Sequence, residues 1–429
     1  MSSNDGYIEA IAKQGFKVIV LDIGDITFQG GQKESIHRWF RLTPSYSPNL
    51  VRFFLKKFKA TKNDLVFDPF SGRGTTVIEC KKNHINSFAL ELNPLFYLIG
   101  EYSLKFKSSN NILFKEYLNE LNIKIIKNKK KSLQSLINSL KINIPDIHDV
   151  FRWWKKKVLK DLLIARELSY EKKYYKIKDF LWISLNMSSL ECANIHRNHP
   201  TISFDDNNTR KIDVFSDLSK RIKEVEEDLF IFKDFETLSI NKVYQGDSVN
   251  LIKSFTKLKL SNKPTIMITS PPYPNRFSYI HQTRPQLYFM ETIKDRKEAT
   301  ELDLKAIGGT WGRATSILMK NLIIPDKELL KIFNYFQELS KKSILMCNYA
   351  TKYFLDLNQH IKELKKLVRK NFRGVYIVGN SKLSGIEIHT ETILAKILER
   401  NKFKVKEILV FRKRGGKKKL YETAICFTN

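Results

Sequence analysis

The sequence predicts an α/β protein: a doubly wound, mostly parallel sheet with a reversed C-terminal hairpin strand, plus a mainly helical insertion. Three observations carry this expectation. Residues 64–100 run from a short apolar strand through a glycine turn and a helix start to a second strand. Apolar, strand-like runs return after residue 240, and "KVKEILVFRKRGGKKKLYETAICF" near the end places two alternating strands about a basic Gly-Gly turn.

Taken in order, "HRWFRLTPSYSPNLVRFFLKKF" (37–58) is a loop with two prolines that enters an amphipathic helix. In "DLVFDPFSGRGTTVIECKKNHINSFALELNP", "LVF" is a buried strand, "DPFSGRG" a turn, "TTVIECKKN" a helix start and "SFALEL" a strand closed by Asn93 and Pro94. Strand, glycine turn, helix, strand is a βαβ unit. From about 103 to 240 the sequence turns Lys-rich and amphipathic, with "KNKKK" and the aromatic "FRWWKKKVL" at 151, and reads as helices. Strand signals follow in "NKVYQGD" at 241, "TIMITS" at 265, "SILMCNY" at 343 and "GVYIVGN" at 374. The expected organisation is an α/β domain in two parts, 1–102 and 241–429, around an insertion at 103–240, with 281–335 as a further recognition segment.

Lys and Arg number 75 against 45 acids, a formal charge of +30. Such a surplus suits a polyanion, because each cation that neutralises a phosphate releases condensed counterions. A biased composition rich in Lys, Asn and Ile is the plainer explanation of the same count. No apolar run is long enough to span a membrane. The start, "MSSNDGYIEA", lacks the pattern of a secretion signal, and Cys80, Cys192, Cys347 and Cys426 are scattered without CxxC pairs. That usage suits a reducing cytoplasm and offers no thiol nucleophile.

In "DPFSGRGTT", Gly72 and Gly74 permit a tight turn and close approach of backbone to a ligand, and Thr75 opens a helix whose amides face the same space. Glu91 lies nineteen residues after Gly72, where a carboxylate can accept ribose hydroxyls. No GxxxxGK[ST] is present and the GxGxxG spacing is incomplete, so a P-loop is excluded and a dinucleotide fits poorly. Asp68 adds acidity, which suits a ligand bearing an amino group and a sulfonium.

"TSPPYPNRFSYI" (269–280) follows an apolar strand, at the end of the sheet where ligands of doubly wound folds sit. An exocyclic amine of a nucleobase is a poor nucleophile until acceptors hold its hydrogens. Ser270 and a proline-flanked carbonyl supply acceptors, Pro271 and Pro272 remove competing donors, and Tyr273 offers a ring for a base swung out of a duplex. Taken alone, the string is equally a rigid turn.

Together, "FDPFSGRGTT", "ELNP" and "TSPPYPNRFSYI" resemble motifs I, II and IV of the S-adenosylmethionine-dependent amino-methyltransferases of DNA, and "TSPPY" most resembles their N4-cytosine group. "HRWFRLTPSYSPNLVRFFL" resembles motif X, "YQGDSVNLI" motif III, "YIVGNSKLSG" the segment lining the target pocket, and the terminal hairpin the reversed last strand. The resemblance implies a Rossmann-like methyltransferase sheet with S-adenosyl-L-methionine as cofactor. It implies that Asp68, Pro69, Phe70, Gly72, Gly74, Thr75, Glu91, Asn93 and Asp247 hold that cofactor. Ser270, Pro271, Pro272 and Tyr273 hold the target base. The implied partners are double-stranded DNA and a cognate restriction endonuclease, with no membrane and no metal.

N6-adenine methylation, RNA methylation and a non-catalytic DNA-binding module stay open as alternatives. Two features depart from the pattern: motif I precedes motif IV, whereas many "SPPY" enzymes have the reverse order, and Arg73 stands between the glycines, so its side chain must point away from a sulfonium. Cys192, His196 and His199 suggest three metal ligands without a fourth, and a structural reading is preferred. Trp153, Trp154 and Lys155 to Lys157 mark the insertion as the expected DNA-contacting region, with 281–335 a second candidate.

Overall fold

With one exception, each apolar run read as a strand lies in the central sheet. The computed structural model describes residues 6–21, 31, 33–41, 45–106, 111–196, 201–207, 209–236, 238–309, 312–414 and 420–429. The strands are β1 (Val18–Val20), β2 (Leu65–Asp68), β3 (Asn86–Glu91), β4 (Asn241–Gln245), β5 (Ile266–Thr269), β6 (Arg373–Gly379), β7 (Ser381–Leu383), β8 (Ile386–Ile388), β9 (Lys404–Arg414) and β10 (Leu420–Thr428). All but the small β7-β8 hairpin join one sheet in the order β1-β9-β10-β6-β5-β2-β3-β4. Pairing is parallel from β4 through β6, and β10 runs antiparallel to both β6 and β9. The Gly-Gly turn expected between β9 and β10 lies outside the described residues.

Strand order reverses between β2 and β5, the chain having built β3 and β4 on one side before returning to the other. At such a switch point the loops leaving neighbouring strands diverge to opposite faces and open a crevice at their carboxyl ends. Here those ends are Asp68 and Thr269, so the glycine turn and "TSPPY" flank one crevice.

Alternation across the strands gives the sheet two apolar faces. Val66, Ile266, Ile268, Val375 and Ile377 pack with Leu50 and Phe54 of the helix Pro48–Lys57. Phe67, Met267, Tyr376 and Val378 pack on the other face, against the helices Ile344–Leu367 and Thr390–Arg400.

The exception is "SILMCNY". It opens the 24-residue helix Ile344–Leu367, with Ser343 as N-cap accepting from the Met346 amide at 3.3 Å. Cys347, Ala350, Phe354, Leu357, Ile361 and Leu364 are buried along it, a helical period that outlasts the short apolar run.

The regular elements described between 111 and 231 are helices, including Lys178–Glu191 and Val214–Ile231, and one isolated bridge pairs Ile195 with Phe204. Their core is continuous with that of Val77, Ile78, Ala89 and Phe96. Trp153 and Trp154 are 1% and 0% exposed, and the Trp154 indole donates to the Ser189 carbonyl at 2.7 Å. These rings are core rather than base-reading surface, because two adjacent indoles bury more apolar area than any solvent-facing role recovers. Lys155, Lys156 and Lys157 are exposed. Among the described residues no helix is long and apolar enough to cross a membrane.

Candidate active site

The crevice holds a cavity of about 290 Å³. Pro69, Phe70, Gly72, Thr75, Glu91, Asn93 and Asp247 line it, as do Ser270, Pro271, Pro272 and Tyr273. Two of the residues singled out in the sequence, Asp68 and Gly74, lie behind this wall.

Asp68 is buried below the floor. It accepts from Tyr46 Oη at 2.9 Å, from Thr269 Oγ1 at 2.6 Å and from the Phe70 amide at 3.0 Å. Burial raises its pKa, and these donors oppose that. One carboxylate thus ties the ends of β2 and β5 to the loop before the helix Pro48–Lys57. Gly74 has φ of 90°, and a Cβ there would meet the Gly100 Cα at 3.0 Å. Its role is helix-to-helix contact, where only hydrogen fits.

Gly72, with φ of 53°, has open space where a side chain would project. Its amide donates to Glu91 Oε2 at 2.7 Å, and the Asn93 amide donates to Oε1 at 2.8 Å. Burial still pushes the Glu91 carboxyl up to about 7 against those two amides. Asp247 accepts from the Val249 amide at 2.8 Å and from Asn250 Nδ2 at 2.6 Å, which holds its loop beside Phe70 and Ser248. Below that loop, buried His360 joins the Ser248 carbonyl at 2.6 Å to Tyr376 Oη at 2.7 Å.

Arg73 also borders the cavity, and its side chain is buried. Its guanidinium donates to the carbonyls of His37 and Phe40, in the "HRWF" segment. That segment is in turn clamped by buried Asp228 of the helix Val214–Ile231, which accepts from the Ile36 amide at 2.7 Å and Trp39 Nε1 at 2.8 Å, and pairs with Arg38 at 2.8 Å.

Across the cavity, Ser270 Oγ has no protein hydrogen-bond partner among the described residues, so its lone pairs are open to a ligand. The Pro272 carbonyl is taken by Tyr353 Oη at 2.8 Å, which fixes the turn. Tyr273 Oη donates to Glu422 Oε1 of β10 at 3.0 Å. The wall also includes Tyr46, Tyr279 and Glu422, which lie within the quoted segments without having been singled out, and Phe96 and Lys305, which lie outside them. Lys305 falls inside the 281–335 segment. Glu422 carries no local signal at all.

Among the described residues no group of three or more His, Cys, Asp or Glu could hold a metal ion. Cys192 is buried and His196 exposed, while His199 lies outside the described residues.

No family model matches the chain. Curated relatives do. The type II methyltransferase M.BsoBI of Geobacillus stearothermophilus is 21% identical over 447 residues, spanning 91% of this chain and 83% of that protein. M.MvaI of Kocuria varians is 21% identical, spanning 90% and 86%, and M.AvaI of a Nostoc species is 22% identical, spanning 90% and 82%. The chain is similar to type II methyltransferases along nearly its whole length. Among solved structures, TrmN from Thermus thermophilus aligns with a TM-score of 0.32 at 8% identity, over 93% of this chain and 53% of that one. The rRNA methyltransferase aviRa from Streptomyces viridochromogenes aligns with a TM-score of 0.31 at 9% identity, over 90% and 86%.

Methyltransferases of this kind take S-adenosyl-L-methionine as methyl donor, and the residues present fit it. A carboxylate at the end of β3 faces the cavity with acceptor capacity for a diol, a glycine leaves room beside it, and Phe70 and Val249 offer apolar surface. The Arg73 guanidinium is held by the His37 and Phe40 carbonyls.

Proposed function

We propose that this chain is a site-specific DNA methyltransferase that modifies the N4 amine of cytosine in duplex DNA, as the modification partner of a restriction endonuclease. The observation that carries this reading is the convergence of Ser270, Pro271, Pro272 and Tyr273 on the same cavity as Gly72, Glu91 and Asp247. One end of the cavity has acceptors suited to a nucleoside, and the other has acceptors suited to an amine.

When bound, S-adenosyl-L-methionine supplies an electrophilic methyl group. Glu91 would hold the ribose hydroxyls, Asp247 the adenine amine, and Phe70 the purine face. At the target end, the unpartnered Ser270 hydroxyl and the Pro271 carbonyl accept the amine hydrogens and favour a pyramidal nitrogen with its lone pair exposed. The Pro272 carbonyl, already engaged by Tyr353, does not compete. A duplex base reaches this cavity only by leaving the stack, and the Tyr273 ring offers a replacement surface. The gain in rate comes from holding two reactants in line, with no covalent intermediate on the protein.

The test is transfer of labelled methyl groups to duplex DNA by purified protein, followed by nucleoside analysis. N4-methylcytosine supports the reading, and N6-methyladenine in its place corrects the target base. No label in any DNA, with cofactor bound normally, overturns it; structured RNA offered in parallel tests the other substrate class.

A further inference from the structure

The chain has 75 lysines and arginines, and charge alone says nothing about which of them touch a ligand. Two are placed differently. Arg276 follows Asn275, a residue of the cavity wall, and is exposed with φ of 57°. An L residue in that left-handed region costs about 1 kcal/mol, and the chain fixes it there: the Arg276 amide donates to Tyr349 Oη at 3.0 Å. Lys305 ends the helix Arg296–Lys305, is exposed, and lines the cavity.

The loop after Lys305 is built against the same post. A Cβ on Gly308 would lie 3.3 Å from Tyr349 Oη, and one on Gly309 would lie 1.9 Å from the Asp303 carbonyl oxygen. Asp303 is buried and accepts from Ser278 Oγ at 2.5 Å. The two loops therefore meet at one buried hydroxyl, which places the Arg276 backbone and the turn after Lys305 against the same side chain. Neither forms an ion pair with a carboxylate among the described residues, whereas neighbouring Lys352 is paired with Asp356. A lysine in the last turn also suits the helix dipole. That effect does not call for an unpaired arginine on the adjoining loop.

We infer that Arg276 and Lys305 are a phosphate-binding pair at the pocket mouth, gripping the backbone beside the nucleotide whose base enters. The inference rests on the reading that the chain acts on DNA. The cavity wall carries Glu91, Asp247 and Glu422, which repel a polyanion, and cations at the rim offset that repulsion where the backbone must approach. Contacts of this type set position and affinity without reading sequence.

The experiment measures binding of a fluorescein-labelled duplex by anisotropy across a salt series. R276A/K305A is expected to lower the slope of log affinity against log salt by roughly 0.9 for each lost phosphate contact. It should weaken binding equally for every sequence. R276K/K305R should restore the slope. Equal slopes for wild type and R276A/K305A overturn the assignment. Failure of the wild type to methylate any duplex overturns the underlying reading and the assignment with it, and running both assays on one preparation tells the two failures apart.

Discussion

The hydroxyl of Tyr273 donates to the carboxylate of Glu422 at 3.0 Å, joining the loop after β5 to the reversed strand β10 across 149 residues of sequence. A register shift between Glu422 and Thr423 makes this meeting possible: Glu422 faces Arg412 and Thr423 faces Val410, so the β9 strand carries one extra residue there. Such bulges re-aim a side chain at the rim of a sheet. The ring that would stack on the target base is thereby tethered at its far end.

Tyr273→Phe keeps the ring and removes the tether. A hydrogen bond to a carboxylate contributes about 1.5–3 kcal/mol, and only part of that is felt in the reacting geometry. Turnover on duplex DNA is expected to fall about tenfold, roughly 1.4 kcal/mol, with cofactor affinity unchanged. Tyr273→Ala should lose far more. Equal turnover for Tyr273→Phe and wild type in a single-turnover methylation assay would refute a role for the tether.

Glu91 gives cofactor binding a pH dependence. Its carboxyl is raised to about 7 by burial, and hydroxyl donors from a ligand favour the ionised form. Affinity for S-adenosyl-L-methionine should therefore rise from pH 6 to pH 8, with a proton released on binding near pH 7. Without ligand the sign is opposite: the folded chain holds this proton more tightly than the unfolded one, so Glu91 lowers stability as pH rises from about 4.5 to about 7. Calorimetry in buffers of different ionisation enthalpy detects the proton, and its absence would count against Glu91 as the diol acceptor.

His360 acts in the reverse sense. Burial lowers its pKa from 6.5 to about 4, so the folded chain keeps the ring neutral while the unfolded chain protonates it. The stability it supplies is present above about 6.5 and lost as pH falls toward 4, at roughly 1.4 kcal/mol per pH unit. Urea melts at pH 7, 6 and 5 should show wild type losing ground to His360→Gln, more steeply between pH 6 and pH 5 than between pH 7 and pH 6. Parallel losses would mean the ring is not held neutral.

Gly74→Ala tests packing apart from chemistry. With φ of 90° and the Gly100 Cα at 3.0 Å, the new methyl strains both backbones, and a loss of about 2 kcal/mol or more is expected in thermal melts. Gly72→Ala meets no atom within 4 Å, but its φ of 53° still strains an L residue by about 1 kcal/mol, so it should cost less than Gly74→Ala in the same melts.

Asp228→Ala leaves the Trp39 indole and the Ile36 amide without their buried acceptor, and leaves Arg38 with only Glu227 and the Glu224 carbonyl. A stability cost of about 3 kcal/mol is expected. A change under 1 kcal/mol in denaturant melts would show that the insertion does not hold the "HRWF" segment.

What was legible in the sequence was what neighbours in the chain decide. The β2-turn-helix-β3 unit, the Glu91 spacing and the stiff turn after β5 rest on local glycines, prolines and apolar runs, and each is where those residues put it. "SILMCNY" was misread because seven apolar-rich residues cannot separate a strand from the first turns of a long buried helix. Glu422 was invisible for another reason: an antiparallel register and a bulge bring it to the pocket, and neither is written near it. Trp153 and Trp154 looked like surface beside three lysines, yet the chain leaves its short helix at Trp154 in extended conformation and both rings are buried.

The reversed strand also sets the timing of assembly. Because β10 runs against its neighbours, its first residues rather than its last reach the pocket, and they are synthesised some 350 residues after the glycine turn they join. A chain still emerging from the ribosome has its glycine loop and its proline corner long before the tether for Tyr273 exists. Methylating competence should thus arrive late and abruptly during synthesis, with prematurely terminated chains lacking the tethered ring.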